Sequence, residues 1–112
     1  MASTPEKKVK DAVKKILKEH GAYYFNPVTG GFGTSGVPDI VCCLDGRFIG
    51  VEVKAGSGKP TALQEKNLDE IMQKGGISIL VNENGIEMLK QLFSVGFPKA
   101  GTLYDFLIKK EK

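Results

Sequence analysis

Three charged residues, Asp39, Glu52 and Lys54, have types and spacing that suit chemistry on one face of a β-hairpin. The dipeptide Asp45-Gly46 separates two β-prone runs, which is typical of a two-residue hairpin turn. If these two residues form the turn, opposed residues have numbers that sum to 91, as Asp45 and Gly46 do, and Asp39 lies across from Glu52. Because side chains alternate along a strand, Lys54 points to the same face as Glu52.

Two carboxylates at this position would lie about 5 Å apart between their Cβ atoms, which is unfavourable without a positive partner. Magnesium suits such a pair, since it binds a few carboxylate oxygens and keeps several waters. The carbonyl of Val53 could add an oxygen, and the Lys54 ammonium could neutralise charge that develops on a phosphate. The alternative is a charge cluster on a solvated sheet face. The apolar residues of both runs favour a buried strand pair, where such a cluster would be costly.

Two further polar residues each fit two roles. Glu6 follows Ser3 at capping-box spacing but also falls in the apolar sector of the first predicted helix, from which it could reach the site. Gln64 stands at the same spacing after Thr61, and it could also bind a phosphate or a water at the site. Both alternatives stay open for each residue.

Composition and charge are those of a small soluble domain. The chain has 112 residues and a net charge of +3, with no apolar run of transmembrane length and no signal-type segment after the first lysines. We therefore expect one domain over residues 1–112 in the cytoplasm, with Cys42 and Cys43 reduced. Lysines crowd the first twenty residues and could bind a phosphate backbone or form a solvated helix face.

The periodicity predicts an α/β fold with the order α-β-β-β-α-β-α, a central mixed sheet flanked by helices. Helices are expected over 4–20, from Thr61 to about residue 74, and over 85–95, and strands over 22–25, 37–44, 47–54 and 77–81. The second helix should bring strand 77–81 back parallel to strand 47–54. A last helix is expected over 103–110, with Thr102 as its cap.

Two glycine-rich segments connect these elements. The segment 26–36 could bring backbone N–H groups close to a phosphate, or serve only as a connector. The segment 55–60 superficially suggests a nucleotide-binding P-loop. Val53 stands where the first glycine is needed and Pro60 replaces the required Ser or Thr, so we exclude nucleotide hydrolysis.

These motifs together resemble a known nuclease family. Gly-Val-Pro-Asp-Ile at 36–40, Glu-Val-Lys at 52–54, Gln64 with Leu68, and Gly75-Gly76 before a strand are similar to the VRR-NUC (virus-type replication-repair nuclease) family. That family belongs to the PD-(D/E)XK superfamily, which shares a restriction-endonuclease-like core. The resemblance covers roughly residues 4–82.

The resemblance implies a role for each matching residue. Asp39 and Glu52 would be metal ligands, Val53 would ligate through its main chain, and Lys54 would be the catalytic lysine. Glu6 would be the first-helix acid, in both the catalytic and the metal-binding set, and Gln64 would lie close to the site. The metal would be Mg²⁺ or Mn²⁺ and the substrate DNA. The lysines assigned to DNA binding are Lys7, Lys10, Lys14, Lys18 and Lys59.

The expected function is that of a metal-dependent, structure-selective DNA endonuclease in DNA repair or recombination, encoded by a bacterium or phage. Stand-alone members of this size are similar to homodimeric Holliday-junction resolvases, and a four-way junction shares the two-fold symmetry of a dimer. The alternatives are a flap- or nick-generating nuclease and a non-catalytic DNA-binding module. Aromatic and aliphatic residues near the C-terminus could form the dimer surface or cover the chain's own sheet: Phe93, Phe97, Leu103, Tyr104, Phe106 and Leu107.

Overall fold

The computed structural model describes residues 4–28, 36–96 and 99–109. A five-stranded sheet with strand order β1-β2-β3-β4-β5 carries helices on both faces. In chain order the elements are α1 Pro5–Glu19, β1 Tyr23–Phe25, β2 Ile40–Leu44, β3 Arg47–Val53, α2 Ala62–Gln73, β4 Ile77–Val81, a 3-10 turn Glu83–Gly85, α3 Ile86–Ser94 and β5 Thr102–Phe106. Among the helices in these ranges, none is both long and apolar enough to cross a membrane.

The β2–β3 hairpin has the predicted register. Ile40 pairs with Val51 and Leu44 with Arg47, so the opposed numbers sum to 91. Asp45 and Gly46 have φ angles of 52° and 78°, which is the left-handed geometry of a two-residue turn between twisted antiparallel strands. β1 pairs antiparallel with β2 and forms one edge of the sheet.

The crossover through α2 is also as predicted. β4 lies parallel to β3, and Thr61 caps α2 in a capping box with Gln64. The helix ends at the C-cap Lys74, after which Gly75 adopts a φ of 91° that favours glycine.

The cap of the first helix differs from the prediction. Thr4, not Ser3, accepts the hydrogen bond from the amide of Lys7, at 3.1 Å. Pro5 takes the first helical position, where its missing N–H costs nothing, so the cap must be the residue directly before it. The predicted capping box of Ser3 with Glu6 is therefore wrong, and Ser3 lies outside the described residues.

The core lies on the face of the sheet that α1 and α3 cover. Val9, Val13, Ile16 and Leu17 of α1 pack there against buried aliphatic residues from β2, β3 and β4, and against Leu89 and Phe93 of α3. α2 packs on the opposite face, where the Ser78 hydroxyl donates to the Leu68 carbonyl at 2.7 Å. Cys42 is buried, Cys43 is exposed, and both are free thiols, as predicted.

The last element is a strand, so the predicted helix over 103–110 is wrong. β5 pairs parallel with β4, and its residues alternate in burial up to the buried Phe106. Asn82, directly after β4, fixes the chain beyond β5 because its side chain donates to the Ile108 carbonyl at 3.0 Å. Phe93, Tyr104 and Phe106 pack on the chain's own core, Leu103 is exposed, and Phe97 lies outside the described residues.

Candidate active site

The acid pair forms where β2 begins and β3 ends. Asp39 directly precedes β2, and its carboxylate Oδ2 accepts a hydrogen bond from the Val53 amide at 2.9 Å. The Asn26 side chain donates to the Asp39 carbonyl at 3.2 Å, which ties the strand start to the end of β1. The hairpin register places Asp39 beside Glu52, so the structure brings the two predicted acids together.

Glu52 is a buried carboxyl group whose hydrogen-bonding capacity is incompletely used. Its side chain is on the α2 face, and the residue is only 1% exposed. Within the described part of the chain, its Oε1 atom has no hydrogen-bond partner. Burial, and then the neighbouring Asp39 carboxylate, raise the pKa of Glu52 from an ordinary value of 4.5 to about 8, against the opposing effect of Lys54. A positive charge beside Asp39 and Glu52 would offset the repulsion between their two carboxylates.

Lys54 is held beside Glu52 by Gln64. The Lys54 ammonium lies 3.4 Å from Glu52 Oε2 and donates to Gln64 Oε1 at 2.8 Å. The same Gln64 oxygen accepts from the Thr61 amide at 2.9 Å. Gln64 therefore fills both roles that the sequence left open, because it caps α2 and at the same time orients Lys54.

The first helix contributes a second lysine to the site. Lys10 Nζ lies 3.7 Å from Asp39 Oδ1. Glu6 is half-buried one turn earlier and lines a cleft of about 360 Å³ with Lys10, Lys14 and Asn26. The described ranges contain no group of three acidic, histidine or cysteine side chains that could hold one metal ion, and the role of Glu6 as a metal ligand stays a prediction.

The residues present nevertheless fit a magnesium or manganese ion. Magnesium commonly takes one or two protein carboxylates and completes its shell with waters and substrate phosphate. Asp39 and Glu52 supply the two carboxylates, and the unpartnered Glu52 Oε1 offers a buried oxygen ligand. Val53 contacts Asp39 through its amide, while ligation through its carbonyl stays a prediction.

The other predicted DNA-binding residues are distributed along α1 and in the loop before α2. Lys7 pairs with Asp11 at 2.9 Å on α1, Lys14 lines the same cleft as Lys10, and Lys18 is exposed near the end of the helix. Lys59 lies in the loop before α2, where it lines a separate cleft over β4 and β5. Residues 29–35 of the predicted glycine-rich segment lie outside the described residues.

Two contacts at Asp39 were missed in the sequence. The sequence predicts DNA binding for Lys10 but not its contact with Asp39, although Lys10 follows Glu6 by four residues and so shares its flank of the helix. That spacing could have placed it at the site. Nothing in the local sequence of Asn26 signals that it fixes Asp39, because the contact joins residues thirteen apart in the chain through tertiary structure.

Comparison with known proteins shows a likeness at the level of structure. No protein-family profile matches the chain, and no curated protein matches it in sequence. A solved structure described as a VRR_NUC domain superposes with a TM-score of 0.67 at 21% identity, covering 82% of this chain and 97% of that one. The chain has the VRR_NUC fold. The fold that the resemblance implied is therefore confirmed, and nearly the whole of that VRR_NUC domain has a counterpart here.

The raised pKa of Glu52 predicts how the stability of the metal-free protein depends on pH. Below about pH 4.5 this carboxyl is protonated in both the folded and the unfolded chain. Between about pH 4.5 and 8 only the folded chain keeps this proton. The contribution of the Glu52 carboxyl to the free energy of unfolding therefore falls as pH rises, by at most about 1.4 kcal/mol per pH unit. Above about pH 8 the loss is complete.

Urea unfolding in EDTA at several pH values, on the wild type and Glu52→Gln, measures this contribution. Glutamine does not titrate, so the variant should become more stable relative to wild type as pH rises, by up to a few kcal/mol. Parallel stability curves for the two proteins would show that Glu52 titrates normally.

Proposed function

We propose that this protein is a metal-dependent DNA endonuclease that hydrolyses phosphodiester bonds at the Asp39–Glu52 pair. The observation that carries the proposal is the buried Glu52 carboxyl, which has an unpartnered oxygen, a neighbouring acid and a lysine 3.4 Å away. Such an arrangement is costly for folding and suits a site that receives a cation. The likeness in fold to a VRR_NUC domain supports the same function.

In this mechanism Asp39 and Glu52 would hold Mg²⁺ or Mn²⁺, which would supply stabilisation of negative charge on the scissile phosphate. Lys54 stabilises the charge that develops on the phosphate oxygens, since Gln64 keeps its ammonium on the side of Glu52. The Val53 amide fixes the orientation of Asp39. Glu6 acts from the first helix through a water, because it does not belong to the carboxylate pair itself.

DNA approaches along the flank of α1 that carries Lys7, Lys10, Lys14 and Lys18. Lys10 and Lys14 line the cleft that leads to Asp39, so phosphates bound there would continue directly into the site. Lys59 would hold the strand on the opposite side, beyond Lys54. Binding of this kind releases counterions and should weaken steeply with salt.

Charge reversal on this flank tests the DNA path. Lys14→Glu with Lys18→Glu should weaken binding to a four-way junction on the order of tenfold and lower the slope of log affinity against log salt by about two. Lys8→Glu with Lys15→Glu makes the same change in net charge on another flank of α1, where Lys8 faces the start of α3. Fluorescence anisotropy at salt concentrations from about 50 to about 200 mM compares the two pairs of substitutions. Equal losses of junction affinity for the two pairs would mean that DNA binding depends on net charge and not on this flank of α1.

We further propose that the preferred substrate is a four-way junction, cut by a homodimer. The resemblance to homodimeric Holliday-junction resolvases motivates this specificity, and the likeness in fold to a VRR_NUC domain is compatible with it. A flap- or nick-generating nuclease would use the same acids and lysine, so the site does not separate the two. The non-catalytic alternative is disfavoured because Asp39, Glu52, Lys54 and Gln64 are all present and in contact.

The experiment that tests this function compares labelled junctions, flaps and duplexes side by side with Mg²⁺ or Mn²⁺. We expect paired symmetric cuts near the branch of the junction and a dimer in light scattering. Faster cutting of flaps or nicking of duplexes would favour the flap or nicking nuclease. No cleavage of any substrate, with DNA binding intact, would favour the binding module.

A further inference from the structure

Three exposed aromatic rings share one side of the sheet at its β1 edge. Tyr23 is 73% exposed, Phe25 50% and Phe48 48%. Tyr23 pairs with Cys43, which in turn pairs with Phe48, so these three residues form one row across β1, β2 and β3. Phe25 starts the next row and faces the same way, because it is two residues from Tyr23. We refer to Tyr23, Phe25 and Phe48 as the ring face.

The ring face is on the same side of the sheet as the acid pair. Phe25 pairs with Val41, and Asp39 lies two residues before Val41 on the same strand, so their side chains share this side. Tyr24, between the two β1 rings, points the opposite way and packs on the core beneath α1. The row of Phe25 is therefore next to the row of Asp39 and Glu52 in the candidate active site.

The spacing of the β1 rings suits bases that are not stacked on one another. The ring centroids of Tyr23 and Phe25 are 6.5 Å apart and the ring planes are inclined by 56°. Stacked bases in B-DNA are separated by about 3.4 Å along the axis. Two bases that stack on these two rings must therefore be unstacked from each other, as they are in single-stranded and branched DNA.

We propose that the ring face binds unpaired bases of the DNA strand that enters the active site. This inference rests on the proposed function, since it takes DNA as the substrate. The rings act as a stacking platform that accepts any base sequence, and they select strands that are already unpaired. Lys74 lines a cleft of about 450 Å³ with Phe48, where its ammonium can hold a phosphate of the same strand.

The short edge strand favours nucleic acid over a second copy of the chain. β1 is only three residues long, so pairing with another β1 would add few main-chain hydrogen bonds.

The reactivity of Cys43 reports on occupation of this face. Cys43 is exposed between Tyr23 and Phe48, whereas Cys42 is buried and its pKa is raised to about 12, so a maleimide should label Cys43 selectively. In EDTA, a saturating oligo-dT strand should slow this labelling about tenfold or more, while a blunt duplex of equal length should not. Equal protection by the duplex would overturn the proposal. Slower labelling at higher protein concentration without DNA would assign the face to a second copy and also overturn it.

A variant that keeps the apolar surface but removes the rings separates stacking from simple burial. Tyr23→Leu with Phe48→Leu should weaken binding of oligo-dT in EDTA by about tenfold or more, because stacking on each of the two rings contributes about 1–3 kcal/mol per base. Duplex affinity should change less than twofold, and Val28→Ala, an exposed apolar residue without a ring, should change neither. Unchanged oligo-dT affinity in a folded variant would overturn the proposal. If the variant does not fold, protection of Cys43 in the wild type still tests whether the ring face binds unpaired bases.

These measurements are made without metal, so they are independent of cleavage. A wild-type protein that binds oligo-dT through the ring face but cuts no DNA with Mn²⁺ would contradict the proposed nuclease and leave the stacking platform standing. A protein that cuts DNA but shows no protection of Cys43 would contradict the stacking platform and leave the proposed nuclease standing.

Discussion

Replacing Lys54 with alanine should lower the rate of DNA cleavage about 100- to 1,000-fold, because in the proposed mechanism its ammonium stabilises charge on the scissile phosphate. Gln64 and Glu52 hold this ammonium at 2.8 and 3.4 Å in the resting protein, so its position is preorganised before the substrate binds. The affinity for DNA should change only a few-fold, since one phosphate contact among many is lost. Single-turnover cleavage of a labelled junction, with binding measured separately in EDTA, gives both quantities.

A matched control for this variant is Lys90→Ala, which removes one positive charge from the exposed face of α3. Its cleavage rate should stay within twofold of wild type. If Lys54→Ala cleaves as fast as Lys90→Ala, Lys54 has no part in the chemistry, and its contacts with Glu52 and Gln64 serve the fold alone.

Divalent metal should stabilise the wild-type protein strongly and the Glu52→Gln variant hardly at all. A ligand at about 100 times its dissociation constant adds about 2.7 kcal/mol to the free energy of unfolding. In a domain of this size that corresponds to a rise in Tm of roughly 10 °C or more. Glutamine removes the buried anionic oxygen, and with it the charge that draws the ion to the pair. Differential scanning fluorimetry with and without Mn²⁺, at a pH above 8 where the Glu52 carboxyl is ionised, measures the effect.

Asp105→Asn controls for the loss of a carboxylate. Asp105 lies on β5 in the same row of the sheet as Glu52, with Leu80 between them, and it is exposed. Its replacement should leave the response to Mn²⁺ unchanged. An equal rise in Tm for Glu52→Gln and wild type would show that the ion binds elsewhere.

The centre of the site was predictable because local chemistry determines it. Asp45 and Gly46 specify the turn, the turn specifies the register, and the register brings Asp39 beside Glu52. The Thr61 capping box likewise depends on residues three apart, so the position of Gln64 at the start of α2 followed from the sequence. These contacts need no knowledge of the rest of the fold.

The parts that were missed depend on distant partners. β5 receives its hydrogen bonds from β4, which lies more than twenty residues earlier, and its short alternating pattern is compatible with a helix when that partner is unknown. The exposure of the ring face also depends on how distant elements pack. Tyr23 remains exposed because α2 packs mainly on β3, β4 and β5, and Phe48 is half-exposed at the start of β3 beside the end of α2, an arrangement that no local pattern encodes.

The most direct test of the acid pair as a metal centre is anomalous diffraction from crystals soaked in Mn²⁺ above pH 8. We expect one strong peak between Asp39 and Glu52, with carboxylate oxygens from both residues at about 2.1 Å. No peak at that position, in crystals of protein that still cleaves DNA with Mn²⁺, would contradict it.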